Sequence, residues 1–416
     1  MDNTQKSIIG IIAVVIIIVA AVSYNYLSQP AESTPQTTAT PTPSTSATPT
    51  PSSSTSPTPT TSTSPTPTPT QSTNPTPTPT VSPISASLTG AGASFPYPLL
   101  TEMINSYTSA HSTIQVNYQS IGSGGGLTAM QAKTVDFAGS DAPLSATDMA
   151  NIPNALHIPE TIGAVTITYN VQGVSSGLKL SGQVIADIFQ AKITKWNDAA
   201  IQNLNPGVTL PSTSIAVVHR SDGSGTTFIF TGYLSKVSTS WANDIGQGKS
   251  VSWPVGTGQS GNAGVASVVN SMANTIGYVE LAYALENGMN VAAVQNPSGQ
   301  FVMPTLESTT AAAQAVASSG LPKGNEAWTN VNLLNANDPD AYPIVSFSYL
   351  LCYKELNVVP GMTQDKATAL VQFLWYVVHD GQQFASGLEY APLPENVKAL
   401  NEETLRSITF NGQTLI

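Results

Sequence analysis

From Leu88 onward the chain alternates short apolar runs with amphipathic stretches. IQVNYQ (114–119), VDFAGS (135–140), GAVTITYNV (163–171), SIAVVHR (214–220), IGYVEL (276–281) and IVSFSYLLCY (344–353) have the length and composition of strands. Between them, PLLTEMINSYTSA (98–110), GGLTAMQAK (125–133), TTFIFTGYLSKV (226–237), AGVASVVNSMA (263–273) and TQDKATALVQFLWYVVHD (363–380) repeat apolar residues at helical spacing. This alternation predicts an α/β architecture, in which ligands gather at the C-terminal ends of strands.

Two different patterns precede Leu88. Residues 8–22, IIGIIAVVIIIVAAV, are unbroken apolar, and SYNYL extends the run to Leu27. The total of about twenty residues is long enough to cross a bilayer as a helix. Tyr24 and Tyr26 suit the interface; Lys6 flanks the run and no lysine or arginine follows until Lys133. Residues 1–27 therefore read as a retained N-terminal membrane anchor at the cell membrane, with everything after it outside the cell. The alternative is a cleaved signal sequence, for which the run is long and AVS at 21–23 a weak site. Residues 28–87 are dominated by Thr, Ser and Pro, with Glu32 as the one charge. Such a segment cannot bury a core and is expected to be a disordered stalk. In polyproline II it would reach on the order of 170 Å.

Composition narrows the function. Charged residues make up 9% of the chain and the net charge is −11, which speaks against nucleic acid and against docking on anionic lipid. Cys352 is the sole cysteine, in an apolar run where a small buried hydrophobe is expected. The four histidines lack metal-ligand spacing, so neither a metal nor any cofactor is implied.

Against that acidic background the placement of cations carries information. The chain has two arginines, and Arg220 lies in HRSDGSGTT (219–227), two residues before Asp222 and beside a run of small residues. Three segments repeat one design: GAGASFPYP (90–98) with Ser94, IGSGGG (121–126) with Ser123, and RSDGSGTT with Ser224 and Thr226. Each reads as a Gly/Ser loop feeding a helix start, where Ser is a good N-cap and free N–H groups attract anions without net positive charge. Such loops are usually plain turns; three in one chain, one holding an arginine, point to a small oxyanion. FAGSDAPLS (137–145) adds Asp141, which is either a cap before Ala142–Pro143 or an acceptor for an anion that still carries a proton.

Together, GAGASFP, IGSGGG, DFAGSDAPLS and RSDGSGTT, in this order, resemble the phosphate-binding protein of the ABC-type phosphate importer. GNAGVA (261–266), IGYVELAYA (276–284) and LEYAPLPENV (388–397) fit the same family, and the similarity runs from about Leu88 to Ile416. The resemblance implies a monomeric extracellular solute-binding protein, not an enzyme, that delivers inorganic phosphate to an ABC permease. It implies a two-lobed periplasmic-binding-protein-like fold with a hinge, lobe one being 88–164 plus 343–416 and lobe two 165–342. Carried over by position, Ser94 and Phe95 supply a hydroxyl and N–H groups, and Ser123 a further hydroxyl. Asp141 takes the phosphate proton, and Arg220 supplies the cationic fork, positioned by Asp222. Ser224, Gly225 and Thr226 complete the cage. Ser94 stands where many relatives have threonine, and the hydroxyl is retained. Competing readings are a receptor for sulfate or molybdate, which the acceptor-only Asp141 disfavours, and a secreted phosphatase-like hydrolase. For the latter GxSxG is missing and His219 shows no triad order.

Overall fold

The computed structural model describes residues 84–317 and 320–416. The apolar run at 8–22 and the Thr/Ser/Pro segment up to residue 83 lie outside the described residues. Among the described residues no helix is long and apolar enough to cross a membrane.

The strands are β1 (Ala86–Gly92), β2 (Ile114–Ser120), β3 (Phe137–Ser140), β4 (Ala155–Asn170), β5 (Lys179–Leu180), β6 (Ala216–Arg220), β7 (Thr257–Gln259), β8 (Thr275–Glu280), β9 (Asn290–Val291), β10 (Ala293–Gln295), β11 (Phe301–Val302) and β12 (Val345–Tyr353), with a small C-terminal hairpin beyond. The main sheet has the order β2-β1-β3-β12-β4-β8-β6-β7, and β9 also pairs with β4.

This sheet is two half-sheets joined by one long strand. Residues 155–164 of β4 pair antiparallel with β12, and residues 165–170 pair antiparallel with β8. In the first half β2, β1 and β3 are parallel; in the second half β8, β6 and β7 are parallel. The chain returns to the first half at Ile344, whose carbonyl accepts the Val165 N–H at 2.8 Å. Two α/β lobes of the periplasmic-binding-protein kind result. β1 begins at Ala86, inside the segment read as stalk, because its whole length is in parallel register with β2.

Helices cover both halves. In the first, helix Gln364–Val378 buries Leu370, Phe373, Leu374 and Val377, and Phe373 meets Phe137 and Tyr107 at 5.7 and 5.3 Å. In the second, Phe230 of helix Gly225–Val237 stacks on Tyr278 of β8 at 4.3 Å. Burying faces like these assembles each lobe and fixes each strand end relative to the helix that follows it. Cys352 is fully buried in β12, where burial pushes its thiol up to about 12 and leaves it unreactive.

Candidate functional site

The ends of the parallel strands converge. Ser94 follows β1, Ser123 follows β2, Asp141 follows β3 and Arg220 ends β6; helices then begin at Tyr97, Ser123 and Gly225. The loops do not all act as caps. Pro96 occupies the N-cap position of helix Tyr97–Ala110 with no side-chain cap, so Ser94 is not the cap its sequence suggested. Gly122, at φ 80°, precedes helix Ser123–Gln131. Only Ser224 caps its helix, accepting the Thr227 N–H at 3.0 Å.

The hydroxyls freed from capping bind across the lobes. Ser123 Oγ accepts the Gly225 N–H at 3.1 Å and the Asp141 N–H at 3.2 Å. Ser94 Oγ accepts the Asn262 backbone N–H at 3.2 Å and its Nδ2 at 3.1 Å. Asn262 Nδ2 also donates to Thr226 Oγ1 at 3.1 Å. The Gly124 N–H donates to Gly223 O at 2.7 Å, and Lys249 pairs with Asp148 at 3.1 Å. A Cβ on Gly124 would lie 3.0 Å from the Gly223 Cα, so the two glycine loops meet only without side chains.

Arg220 is 3% exposed. Its Nε donates to Asp222 Oδ1 at 2.7 Å and its Nη2 to Asp222 Oδ2, while Nη1 reaches Thr226 Oγ1 at 3.3 Å. Burial acts to raise the Asp222 carboxyl, but the Arg220 hydrogen bonds and charge outweigh it and hold it below the usual range. Asp222 Oδ1 also accepts the Gly261 N–H at 3.1 Å. Tyr278 braces the base of the arginine, its hydroxyl accepting the Arg220 N–H at 3.1 Å.

Asp141 is not a cap. The next helix starts at Ala146 under its own Ser145–Asp148 capping box. Asp141 is 1% exposed; Oδ1 accepts from Ser348 Oγ at 2.9 Å, and Oδ2 is buried without a protein partner. A Cβ added to Gly225 would strike both Asp141 Oδ2 and Ser123 Oγ. Burial pushes the Asp141 carboxyl up to about 7, against the Ser348 hydrogen bond, the Arg220 charge and the nearby Ser123 hydroxyl, with the Asp222 charge adding to the rise.

All nine sequence-derived positions therefore lie on one seam. Ser94, Phe95, Ser123 and Asp141 come from the first half-sheet, and Arg220, Asp222, Ser224, Gly225 and Thr226 from the second. Phe95 is fully buried and its carbonyl accepts from Tyr390 Oη at 2.7 Å. Sequence reasoning passed over Asn262, Tyr278, Glu160 and Ser348 as site residues; GNAGVA served the resemblance alone, and IGYVEL only a strand and the resemblance. The seam presents a guanidinium, hydroxyls and first-turn N–H groups beside Asp141 Oδ2, a buried carboxylate oxygen without a protein partner.

The PBP superfamily domain model matches residues 55–380. The phosphate-binding protein PstS of Xylella fastidiosa (strain Temecula1) is 45% identical over 316 residues, covering 75% of this chain and 83% of that one. The chain belongs to the PstS family of the PBP superfamily. The phosphate-binding protein PstS of Methanocaldococcus jannaschii is 37% identical over 343 residues, 78% of this chain and 87% of its own. Among solved structures, a phosphate-binding protein from Stenotrophomonas maltophilia matches with a TM-score of 0.57 at 20% identity, over 77% of this chain and 93% of that one. A phosphate ABC transporter substrate-binding protein from Clostridium perfringens matches at 0.54 and 14% identity, over 74% and 100%. These two likenesses bear on the fold.

Proposed function

We propose that this PstS-family chain is an extracellular solute-binding protein, not an enzyme, that captures inorganic phosphate between its lobes and delivers it to an ABC permease. The observation that carries the reading is Asp141 Oδ2, a buried acceptor without a protein partner in a seam that also presents a guanidinium, hydroxyls and backbone N–H groups. An ionised carboxylate accepts only, so it suits an oxyanion that keeps a proton and repels one that has none. Phosphate near neutral pH has such a proton; sulfate and molybdate do not.

In this reading Arg220, Ser94, Ser123, Ser224 and Thr226, with N–H groups of Phe95, Gly225 and Thr226, hold the oxygens. Asp222 orients the arginine. Lobe one (from β1 at Ala86 to 164, with 343–416) and lobe two (165–342) close on the ligand about the β4 crossing. The hydrolase alternative fares poorly: His219 Nδ1 lies 2.9 Å from Arg220 O, its ring stacks on Trp253 at 4.7 Å, and the Ser224 hydroxyl caps a helix.

Residues 1–27 would tether the domain to the cell membrane and the segment from residue 28 up to the start of β1 at Ala86 would hold it away as a stalk, with the binding domain acting as a monomer. Thermal melting with phosphate, with sulfate and without ligand tests the main reading, because a ligand that binds only the native state raises its stability. A rise with phosphate alone is expected; equal shifts with both anions would replace it with a general oxyanion receptor. Fractionation tests the tether, since release by salt alone would exclude a retained anchor.

A further inference from the structure

One buried carboxyl beside the seam has no place in the phosphate cage. Glu160 is 2% exposed, and it is the extra residue of a β-bulge: Ser348 pairs with Thr161 and Tyr349 with Pro159, leaving Glu160 unmatched. A bulge re-aims a side chain, and here it turns Glu160 toward Asp141. Ser348 Oγ lies 3.1 Å from Glu160 Oε1 and 2.9 Å from Asp141 Oδ1.

A hydroxyl has one hydrogen to donate. If both carboxyls were ionised, one oxygen would face the Ser348 lone pairs at hydrogen-bond distance, with two negative charges buried side by side. Among the described residues the ion pairs involve neither Glu160 nor Asp141. One proton on the pair removes the conflict, because a protonated Glu160 donates to Ser348 Oγ and Ser348 then donates to Asp141. The opposite order would put the proton on Asp141 Oδ1, the carboxyl that lies nearer the Arg220 charge.

We propose that Glu160 is a positioning and specificity-determining residue: it holds a proton, hydrogen-bonds through Ser348 to Asp141 Oδ1, and so keeps Asp141 ionised with Oδ2 directed at the ligand's O–H. The inference rests on the phosphate reading above. Its consequence is linkage, because losing the Glu160 proton adds a buried negative charge beside the bound anion and weakens binding. Burial pushes the Glu160 carboxyl up to about 8, with the Asp141 charge adding to it and the Ser348 bond opposing. The groups facing the pair are Arg220 and Asp222 from the second half-sheet, with Tyr118 of β2 and Tyr349 of β12. Burial keeps both phenols neutral through this range, Tyr118 well above its ordinary value and Tyr349 above it.

The test is calorimetric titration of the full chain with inorganic phosphate from about pH 6 to about pH 9.5, for wild type and Glu160→Gln. Glutamine keeps a donor for Ser348 and cannot ionise. Across that range wild type should lose roughly tenfold more affinity than the variant. Repeating the titration near pH 8 in two buffers of different ionisation enthalpy should show more proton uptake by wild type, since the anion favours the protonated carboxyl. Comparing the two chains cancels the phosphate's own titration. Should Glu160→Gln fail to melt cooperatively, Glu160→Ala removes the same charge and gives the same comparison. Superimposable pH profiles with equal proton counts would overturn the assignment while leaving phosphate binding intact. Wild type that binds no phosphate at any pH would instead overturn the phosphate reading, and this inference with it.

Discussion

Asn262 holds Ser94 with two hydrogen bonds, one from its backbone N–H at 3.2 Å and one from its Nδ2 at 3.1 Å, although 168 residues separate them. The same amide donates to Thr226 Oγ1, and Asn262 Oδ1 accepts the Glu280 N–H at 3.2 Å. One fully buried side chain thus ties the β1 loop to the helix that follows Arg220.

Asn262→Ala should leave Thr226 Oγ1 and the Glu280 N–H each short of a partner. Buried groups stranded in this way cost about 1–3 kcal/mol, so phosphate affinity should fall by about tenfold to a hundredfold. Calorimetric titration measures this, with melting of the unliganded variant as the control for folding. Unchanged affinity would make Asn262 a brace for the helix alone.

The reach of these contacts explains what could be read in the chain and what could not. Arg220 and Asp222 are two residues apart, and a bidentate pair at that spacing is visible as a local motif. The same holds for Ser123 and Ser224, announced by their glycines. Ser348 sits inside an apolar strand and reaches Asp141 across 207 residues, so only the tertiary pairing of β12 with β3 and β4 reveals it. The first half of β4 was passed over because His157, Pro159 and Glu160 interrupt its apolar run, yet pairing with β12 makes it a strand. Helix Glu395–Arg406 escaped for a related reason: it is largely polar and buries only Val397, Asn401, Thr404 and Leu405.

Arg220→Ala removes the seam's guanidinium and leaves Asp222 unpaired beside the anion. Truncating one partner of a buried charge pair costs about 2–5 kcal/mol, so affinity should drop by a few orders of magnitude. Arg220→Lys should recover only part of it, because Nε and Nη2 both engage Asp222 and an ammonium cannot do so while also reaching the ligand. Binding by Arg220→Ala at wild-type strength would remove this loop from the site.

His157 gives the fold a pH dependence separate from the ligand. It is fully buried, its Nδ1–H donates to Gly324 O at 3.2 Å and its Nε2 accepts the Leu144 N–H at 3.0 Å. Both nitrogens are committed to the neutral ring, and burial lowers its pKa to about 4. A depressed folded-state value means a stability contribution present above the unfolded value near 6.5 and lost as pH falls through 4. Relative to His157→Gln, wild type should therefore lose up to roughly 3 kcal/mol between about pH 6.5 and pH 4. Urea unfolding of both chains across that window checks it, and parallel pH curves would mean that the ring takes up its proton as readily in the folded protein as in the unfolded chain.

Selectivity turns on Asp141. With the carboxyl ionised, phosphate places an O–H on Oδ2, whereas sulfate places an oxygen lone pair there in a buried seam. Sites that strand a buried polar group in this way discriminate by roughly 10⁴–10⁵. Arsenate shares the protonated tetrahedral shape and should compete with phosphate. The discrimination should weaken in acid, because the Asp141 carboxyl is raised to about 7 and below that pH it acquires an O–H to donate. Sulfate affinity of the wild type should then rise as pH falls through 7. Asp141→Asn offers an N–H at every pH, so its sulfate-to-phosphate ratio should be higher than wild type at about pH 8.5 and should change little with acidification. Competition titrations with the three anions at several pH values give both ratios. Strong sulfate binding by the wild type in alkali, or an unchanged ratio in Asp141→Asn, would mean that Oδ2 never meets the ligand.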